Sequence, residues 1–297
     1  MASIAAVERD TGLAKDTLRV WERRYGFPKP VRNRFGERLY PREQLEKLQV
    51  LKRLLDGGRR PGKIIRLTLE ELLALKGNAD RGSSPTSVPP AFAAKIGLLR
   101  THRIDELRGE LARALARTGL ERFVTEVAGP LNIAVGEAWM RGELQIFEEH
   151  LYSECMQMIL RSEIAGLPRV QGGPCVLTTT FPHETHGLGL LMAEALFVLE
   201  GAQCVPLGVS TPVAEIGHAA LAHRADIVAL SFSAAAQAGP MADGLRALRG
   251  QLPDSTEIWA GGASAALGRL APGEVRVVRE LSAIGAELAD WRVRRQA

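Results

Sequence analysis

The sequence predicts a multidomain chain in three parts: a small helical domain with a basic β-loop, a bundle of four helices, and a doubly wound α/β domain. Three observations predict it. Residues 1–77 carry 18 Lys/Arg against 10 Asp/Glu, net +8, whereas the remaining 220 residues carry 20 against 24, net −4. The stretch NADRGSSPTSVPP, residues 78–90, is rich in Ser, Pro and Gly, has almost nothing to bury and reads as a linker. From Pro174 onward, helical periodicity gives way to short apolar runs alternating with helical stretches. The expected boundaries are therefore 1–77, a linker over 78–90, a helical part over 91–168, and an α/β part over 169–297.

Bulk composition narrows the class. An apolar content of 46% and a charged content of 24% are ordinary for a globular protein. No apolar run reaches the roughly 18 residues of a membrane helix, and MASIAAVERD lacks the basic start and apolar core of a signal peptide. Cys155, Cys175 and Cys204 are scattered among apolar neighbours and read as buried thiols in a reducing cytoplasm. A basic N-terminal part beside a mildly acidic body suggests nucleic acid or another polyanion at one end, and no membrane partner.

In the first part, Ser3 caps a short helix through Val7 to Arg9, and Thr11-Gly12 makes a turn. A second helix over 14–25 puts Leu18, Trp21 and Tyr25 on one face and Arg19 and Arg23 on another, with Gly26 and Pro28 ending it. KPVRNRFGERLYP turns at Phe35-Gly36 between two extended pieces. A longer helix over 41–55 carries Leu45, Leu48, Leu51 and Leu55 and stops at Gly57-Gly58; shorter helical pieces surround Ile64 and Leu72. Helix, turn, helix, basic β-loop and helix make a winged helix-turn-helix, whose second helix suits the major groove of double-stranded DNA. The wing arginines Arg32, Arg34 and Arg38 would reach phosphates or the minor groove. The sequence DTLRVWERRYGFP followed by RLYPREQ resembles the MerR family of transcriptional regulators over residues 1–76. That resemblance implies DNA-facing roles for Lys15, Arg19, Arg23 and Arg24, and wing roles for Arg38 and Tyr40; Trp21 reads as core.

After the linker, 92–100, 104–117, 120–139 and 144–165 read as the four helices of a bundle, with turns at Thr118-Gly119 and Arg141-Gly142 and a kink or restart at Pro130. Strands are expected at 175–180, 204–208, 226–232, 257–262 and 275–278. Helices are expected at 187–200, 213–223, 239–250, 263–270 and 281–292. Five short buried strands alternating with helices give a parallel doubly wound sheet, which takes ligands beyond the C-terminal ends of its strands.

That address gives meaning to FPHETHGLG, residues 181–189, between the first strand and the first helix of this domain. His183 and His186 are three apart, so the segment is not the HExxH of a metalloprotease. A loop histidine here reaches a ligand lying across the strand ends, and Glu184 can hydrogen-bond the ring nitrogen that does not bind metal. Zinc needs three or four converging ligands, and only these two histidines lie close together in the sequence. Glu184, His186 and Gly189 form E-x-H-x-x-G, which resembles the D/E-x-H-x-x-G loop of cobalamin-binding domains. SFS (231–233) after the third strand and AGGAS (260–264) after the fourth resemble that family's serine and double-glycine motifs. The resemblance implies cobalamin as cofactor, His186 as lower axial ligand of cobalt, and Ser231, Ser233, Gly261 and Gly262 lining a slot for the displaced nucleotide tail.

In the bundle, Trp139 followed after nine residues by Glu149-His150 resembles the helices that cover the upper cobalamin face in the CarH/CarA/LitR group of light-sensing repressors. This implies adenosylcobalamin under Trp139, with Glu149 and His150 hydrogen-bonding the adenosyl group. It also implies a ligand-dependent dimer or tetramer that represses carotenoid or photoprotective genes. One position departs from that group: Met140 stands where its light-sensing members carry a second cobalt-binding histidine. A light-independent cobalamin-responsive regulator, or a MerR-type regulator without cofactor, therefore stays open beside the photoreceptor, as does a bilin or haem in the same domain. Cobalamin-dependent methyltransferases and mutases share the domain but need a substrate domain, commonly a barrel of about 250 residues, so a non-enzyme is expected.

Overall fold

The computed structural model describes residues 1–56, 59–79, 88–168, 172–270, 273 and 275–296. The helix stop assigned to Gly57-Gly58 and most of the 78–90 linker lie outside these residues. Two compact units are present, Met1–Val88 and Pro89–Ala297.

The first unit starts with strand β1 (Ala2–Ser3) and helix α1 (Ile4–Thr11). The Ser3 side chain accepts a hydrogen bond from the Ala6 N–H, which caps α1, and Gly12 closes it in a left-handed conformation at φ 67°. Helix α2 (Lys15–Tyr25) ends on Gly26 in the same way, at φ 69°. Strands β2 (Val31–Arg32) and β3 (Arg38–Tyr40) form the wing hairpin, and β1 adds to the other side of β3, giving the antiparallel order β1-β3-β2. The third strand was not legible because two residues are too few to show alternation. Helices α3 (Arg42–Asp56), α4 (Pro61–Ile64) and α5 (Leu69–Ala79) complete the unit. Val7, Leu18, Trp21, Leu48, Leu51, Ile65 and Leu72 share one core.

The second unit opens with α6 (Pro90–Arg100), α7 (Ile104–Arg122), α8 (Gly129–Arg141) and α9 (Ile146–Gly166). The third helical piece differs from expectation. Gly119, at φ 75° and ψ 166°, breaks the helical path inside α7, and residues 123–128 form a π-helix before α8 begins. Pro130 sits in the first turn of α8, where its missing N–H has no partner to lose. Pro130 thus marks a restart, and the wide turn upstream absorbs the bend.

The α/β part contains β4 (Cys175–Thr179), α10 (Leu188–Leu199), β5 (Gln203–Gly208), α11 (Val213–Ala222), β6 (Ile227–Ser231), α12 (Ala238–Arg249), β7 (Glu257–Gly261), β8 (Arg276–Val278) and α13 (Ile284–Gln296). All pairings are parallel, in the order β5-β4-β6-β7-β8. Pro206 is tolerated because β5 is an edge strand. Strand alternation sends Leu177, Val228, Leu230, Ile258 and Ala260 into a core with Ile216 and Ala220 of α11 and Met241, Leu245 and Leu248 of α12. The opposite face meets α10, where Phe197 packs on Trp259 at 5.8 Å between ring centres. The bundle packs on this side, with α9 and α7 against α10. The helix expected at 263–270 is only a short 3-10 turn, Ala265–Arg269, and another 3-10 turn, Leu281–Ala283, precedes α13.

The double glycine shows why the sheet needs it. Gly262 has φ +111°, and a Cβ there would lie 2.3 Å from the Phe232 carbonyl oxygen; at Gly261 it would lie 2.7 Å from that of Val278. Both obstacles are backbone. Gly262→Ala is expected to destabilise the second unit by about 3 kcal/mol or more. That corresponds to roughly 10 °C in its melting temperature, measured by calorimetry on the full chain.

Candidate functional site

The order β5-β4-β6 places the reversal of strand order beside β4, where doubly wound sheets receive ligands. The loop that leaves β4 there carries the Glu184/His186 pair. Glu184 is 8% exposed, so its carboxylate requires partners. Its Oε1 lies 2.6 Å from His186 Nδ1 and accepts from the His186 backbone N–H at 3.1 Å. Its Oε2 accepts from the Ser233 N–H at 2.9 Å and the Ser233 hydroxyl at 2.7 Å. Burial raises the Glu184 pKa, but the hydrogen bonds from His186 and Ser233 outweigh it and pull the group down to about 2. The result is a fixed anion that orients one imidazole, whose ring is about half exposed at 49%. Because Nδ1 faces the carboxylate, a metal would be taken on Nε2, and the buried charge makes that nitrogen a better donor.

The loop backbone is tied down as well. The Thr180 hydroxyl donates to the Glu184 carbonyl at 2.6 Å and accepts from the Ser210 N–H at 2.8 Å, and the Ser210 hydroxyl donates to the same carbonyl at 3.2 Å. Sequence reasoning missed Thr180 and Ser210. The available signal was the hydroxyl run of TTT closing an apolar strand. Ser233, expected to line a slot, holds Glu184 in position through its N–H and hydroxyl. Gly189 faces Ser231, whose hydroxyl would lie 3.4 Å from an added Cβ, so helix α10 starts close to the end of β6. Among the described residues, no three His, Cys, Asp or Glu come together to hold a metal ion. A single well-oriented imidazole therefore suits a metal that brings its other ligands with it, as a corrin-bound cobalt does.

On the bundle, Trp139 is half-buried at the end of α8, and Met140 beside it is 37% exposed. Glu149 and His150 lie in the first turns of α9. The Glu149 carboxylate is 2.9 Å from His150 Nδ1 and accepts from the Ser153 hydroxyl at 2.6 Å. Glu148, which sequence reasoning passed over, is buried; it accepts from the Gln145 N–H at 2.6 Å and lies 3.2 Å from His102 Nε2. Burial pushes up the thiols of Cys155, Cys175 and Cys204, consistent with inert cysteines.

In the first unit, Arg19, Arg23 and Arg24 are exposed on α2, while Leu18 and Trp21 are buried on its other side. Arg19 pairs with Asp16 at 3.0 Å and Lys15 with Glu8 at 3.1 Å, exposed contacts that hold weakly. On the wing, Arg32 and Arg34 are exposed, and Arg38 is half-buried against Glu22 at 2.8 Å. Tyr40 requires a correction: its side chain is wholly buried in the core, so it shapes the wing from below and offers no surface to DNA. Its neighbour on β3, Leu39, is the more exposed of the two.

Fold and site together define a MerR-type DNA-binding module joined to a cobalamin-binding module. The MerR HTH regulatory protein family matches residues 2–71, and the B12 binding domain family matches residues 98–162. The chain is 34% identical to the HTH-type transcriptional repressor CarH of Myxococcus xanthus over 258 residues, covering 86% of each chain. It is 30% identical to the HTH-type transcriptional repressor CarA of the same organism, covering 77% of this chain and 75% of that one. The chain belongs to this family of MerR-type, cobalamin-binding transcriptional repressors. Among solved structures, the monomethylamine corrinoid protein of Methanosarcina barkeri shares the fold. Its TM-score is 0.53 at 14% identity, over 67% of this chain and 96% of that one. No described helix is long and apolar enough to cross a membrane.

Proposed function

We propose that the chain is a cytoplasmic repressor that senses light through adenosylcobalamin and uses it to control its own assembly on an operator. The observation that carries this reading is the Glu184–His186 pair, held by Ser233 at the C-terminal end of β4. It occurs in a chain that also presents the arginines of α2. In this reading His186 would hold the cobalt through Nε2, Glu184 would fix the ring, and Gly189, Ser231, Gly261 and Gly262 would leave room for the cofactor beside it. Trp139 covers the upper side, and Glu149 and His150 hydrogen-bond the upper group. The working boundaries are 1–77 for DNA binding, 78–90 for the linker, 91–168 for the bundle and 169–297 for the cofactor domain. When bound, adenosylcobalamin supplies a weak cobalt–carbon bond that visible light breaks.

Self-association is the other half of the proposal. A dimer or tetramer gathers several DNA-binding domains on one operator, and linked domains bind far more tightly than single ones through effective concentration. A light switch requires the two states of the cofactor to differ in how well they stabilise the oligomer. The names of the curated relatives support a regulator rather than a methyltransferase or mutase subunit.

Met140 favours a second reading. A thioether is a weaker partner for cobalt in this oxidation state than an imidazole, so a regulator that responds to cobalamin without light is the competing form. A sizing column separates the two. Full-length protein loaded with adenosylcobalamin in the dark is expected to elute larger than the cofactor-free chain and to fall back after green illumination. A size that rises with cofactor and ignores light selects the second reading. A size indifferent to both removes the assembly switch.

A further inference from the structure

The wing hairpin carries a side chain that phosphate binding does not use. Its tip is braced by Asn33, whose side-chain oxygen accepts from the N–H groups of Phe35 and Glu37, both at 2.9 Å, and whose amide donates to the Glu37 carboxylate at 2.8 Å. Two backbone bonds, Asn33 N–H to the Glu37 carbonyl at 3.0 Å and Gly36 N–H to the Asn33 carbonyl at 2.9 Å, close the turn. The Arg32 guanidinium donates to the Gly36 carbonyl at 3.0 Å. At the apex of this braced turn Phe35 is 73% exposed, and the Arg34 guanidinium lies over its ring at 4.8 Å. Val31, on β2 of the same hairpin, is 49% exposed.

The braced backbone fixes where the ring leaves the turn, and the ring itself stands 73% exposed. One ring face carries the guanidinium, which leaves the other face and the ring edge to a partner. What the pair presents is a positive charge at a fixed height with an apolar edge beside it. A single ring on a two-stranded tip is too small to anchor a protein interface, which needs a continuous apolar centre. Arg32 and Arg34, both on the strand side that leads into the tip, match a polyanion, while the Glu37 carboxylate on the other side is turned to the Asn33 amide. The minor groove of duplex DNA offers the complement: negative potential at its floor, strongest where A·T tracts narrow it, and apolar deoxyribose edges along its walls.

We propose that Phe35 is a specificity-determining residue. It holds the Arg34 guanidinium at the entrance of a narrow minor groove and packs its own ring edge on the sugars, so that the wing selects A·T-rich sequence beside the segment that α2 reads. This inference rests on the DNA-binding reading above and adds a base preference that α2 does not supply.

The test uses the full chain loaded with adenosylcobalamin in the dark. A preferred duplex is recovered from a random-sequence pool, and a second is made with the A·T pairs under the wing changed to G·C. Wild-type protein is expected to prefer the first about tenfold, the size of a typical base-pair penalty. Phe35→Ala is expected to bind the first duplex about tenfold more weakly, to lose the preference, and to keep the wild-type salt dependence, because no charge is removed. Phe35→Tyr, which keeps the ring, is expected to retain both. Arg34→Ala is expected to lose the preference and to lower the salt slope by about one. Two results overturn the proposal: Phe35→Ala with wild-type affinity and preference, or Phe35→Ala weakened equally on both duplexes, which would make the ring a general grip. If wild-type protein recovers no duplex from the pool, the DNA-binding reading fails first and takes this proposal with it; binding by wild type with an indifferent Phe35→Ala sinks the proposal alone.

Discussion

Wild-type protein mixed with adenosylcobalamin in the dark is expected to give a base-off, histidine-ligated absorption spectrum, and His186→Ala is expected to lose it. The imidazole is half exposed, so its removal opens no core cavity; it takes away the donor atom and also one hydrogen bond of the buried Glu184 carboxylate, which keeps its Ser233 and His186 backbone partners. Losing an oriented metal ligand should cost at least the 10–100-fold in affinity that follows loss of a supporting partner, so a drop of about 100-fold or more is expected by titration. Glu184→Gln grades the same argument. It keeps the shape but removes the fixed anion 2.6 Å from Nδ1, and its single amide oxygen can accept on the His186 side or on the Ser233 side but not on both. It is expected to bind about 10–100-fold more weakly while still showing histidine ligation. An unchanged spectrum in His186→Ala would remove His186 from the cobalt. A graded series with Glu184→Gln between the two would tie the effect to ring orientation.

The second large effect is at the other end of the chain. Arg23→Ala is expected to weaken operator binding about 10–100-fold near physiological salt, the range for a lost base-edge or close phosphate contact. The cofactor spectrum should stay as in wild type. Arg23 is the informative choice because it is exposed on the face of α2 opposite Leu18 and Trp21, which are buried. Arg38 is a poor choice, since its guanidinium pairs with Glu22 at 2.8 Å and its removal would disturb the wing as well as the DNA contact. Gel-shift titration of Arg23→Ala beside the spectrum separates the two functions. Loss of both together would report a folding defect.

Much of this was open to reading along the chain because it depends on local chemistry. Helix α1 begins at Ser3 because a serine hydroxyl satisfies an orphan N–H, and α2 ends at Gly26 because glycine takes a positive φ without strain. The change of period near Pro174 announced the parallel sheet, and the spacing from Glu184 to His186 put a carboxylate within reach of a ring nitrogen. What failed was whatever depended on neighbours far along the chain. Tyr40 was placed on the wing surface, although its facing is decided by α1 and α3 closing over it. Pro130 restarts the helix, one of the two outcomes expected there, but the bend itself lies upstream, where Gly119 and a π-turn fit the bundle to α10.

Alone, the sequence determined the kinds of parts and their order: a basic helical module, a helical bundle, a doubly wound sheet, and an imidazole beside a carboxylate on the first strand–helix loop. Helix caps, strand alternation and a two-residue separation are short-range properties of neighbouring residues, so no folding was needed to see them. Only the tertiary structure decided that Ser233, 49 residues beyond Glu184, supplies two of the hydrogen bonds that keep that carboxylate ionised when buried, and that the double glycine is required by the carbonyls of Phe232 and Val278. Those contacts exist because adjacent strands end at the same edge of one sheet, and distance along the chain carries no record of which ends will meet.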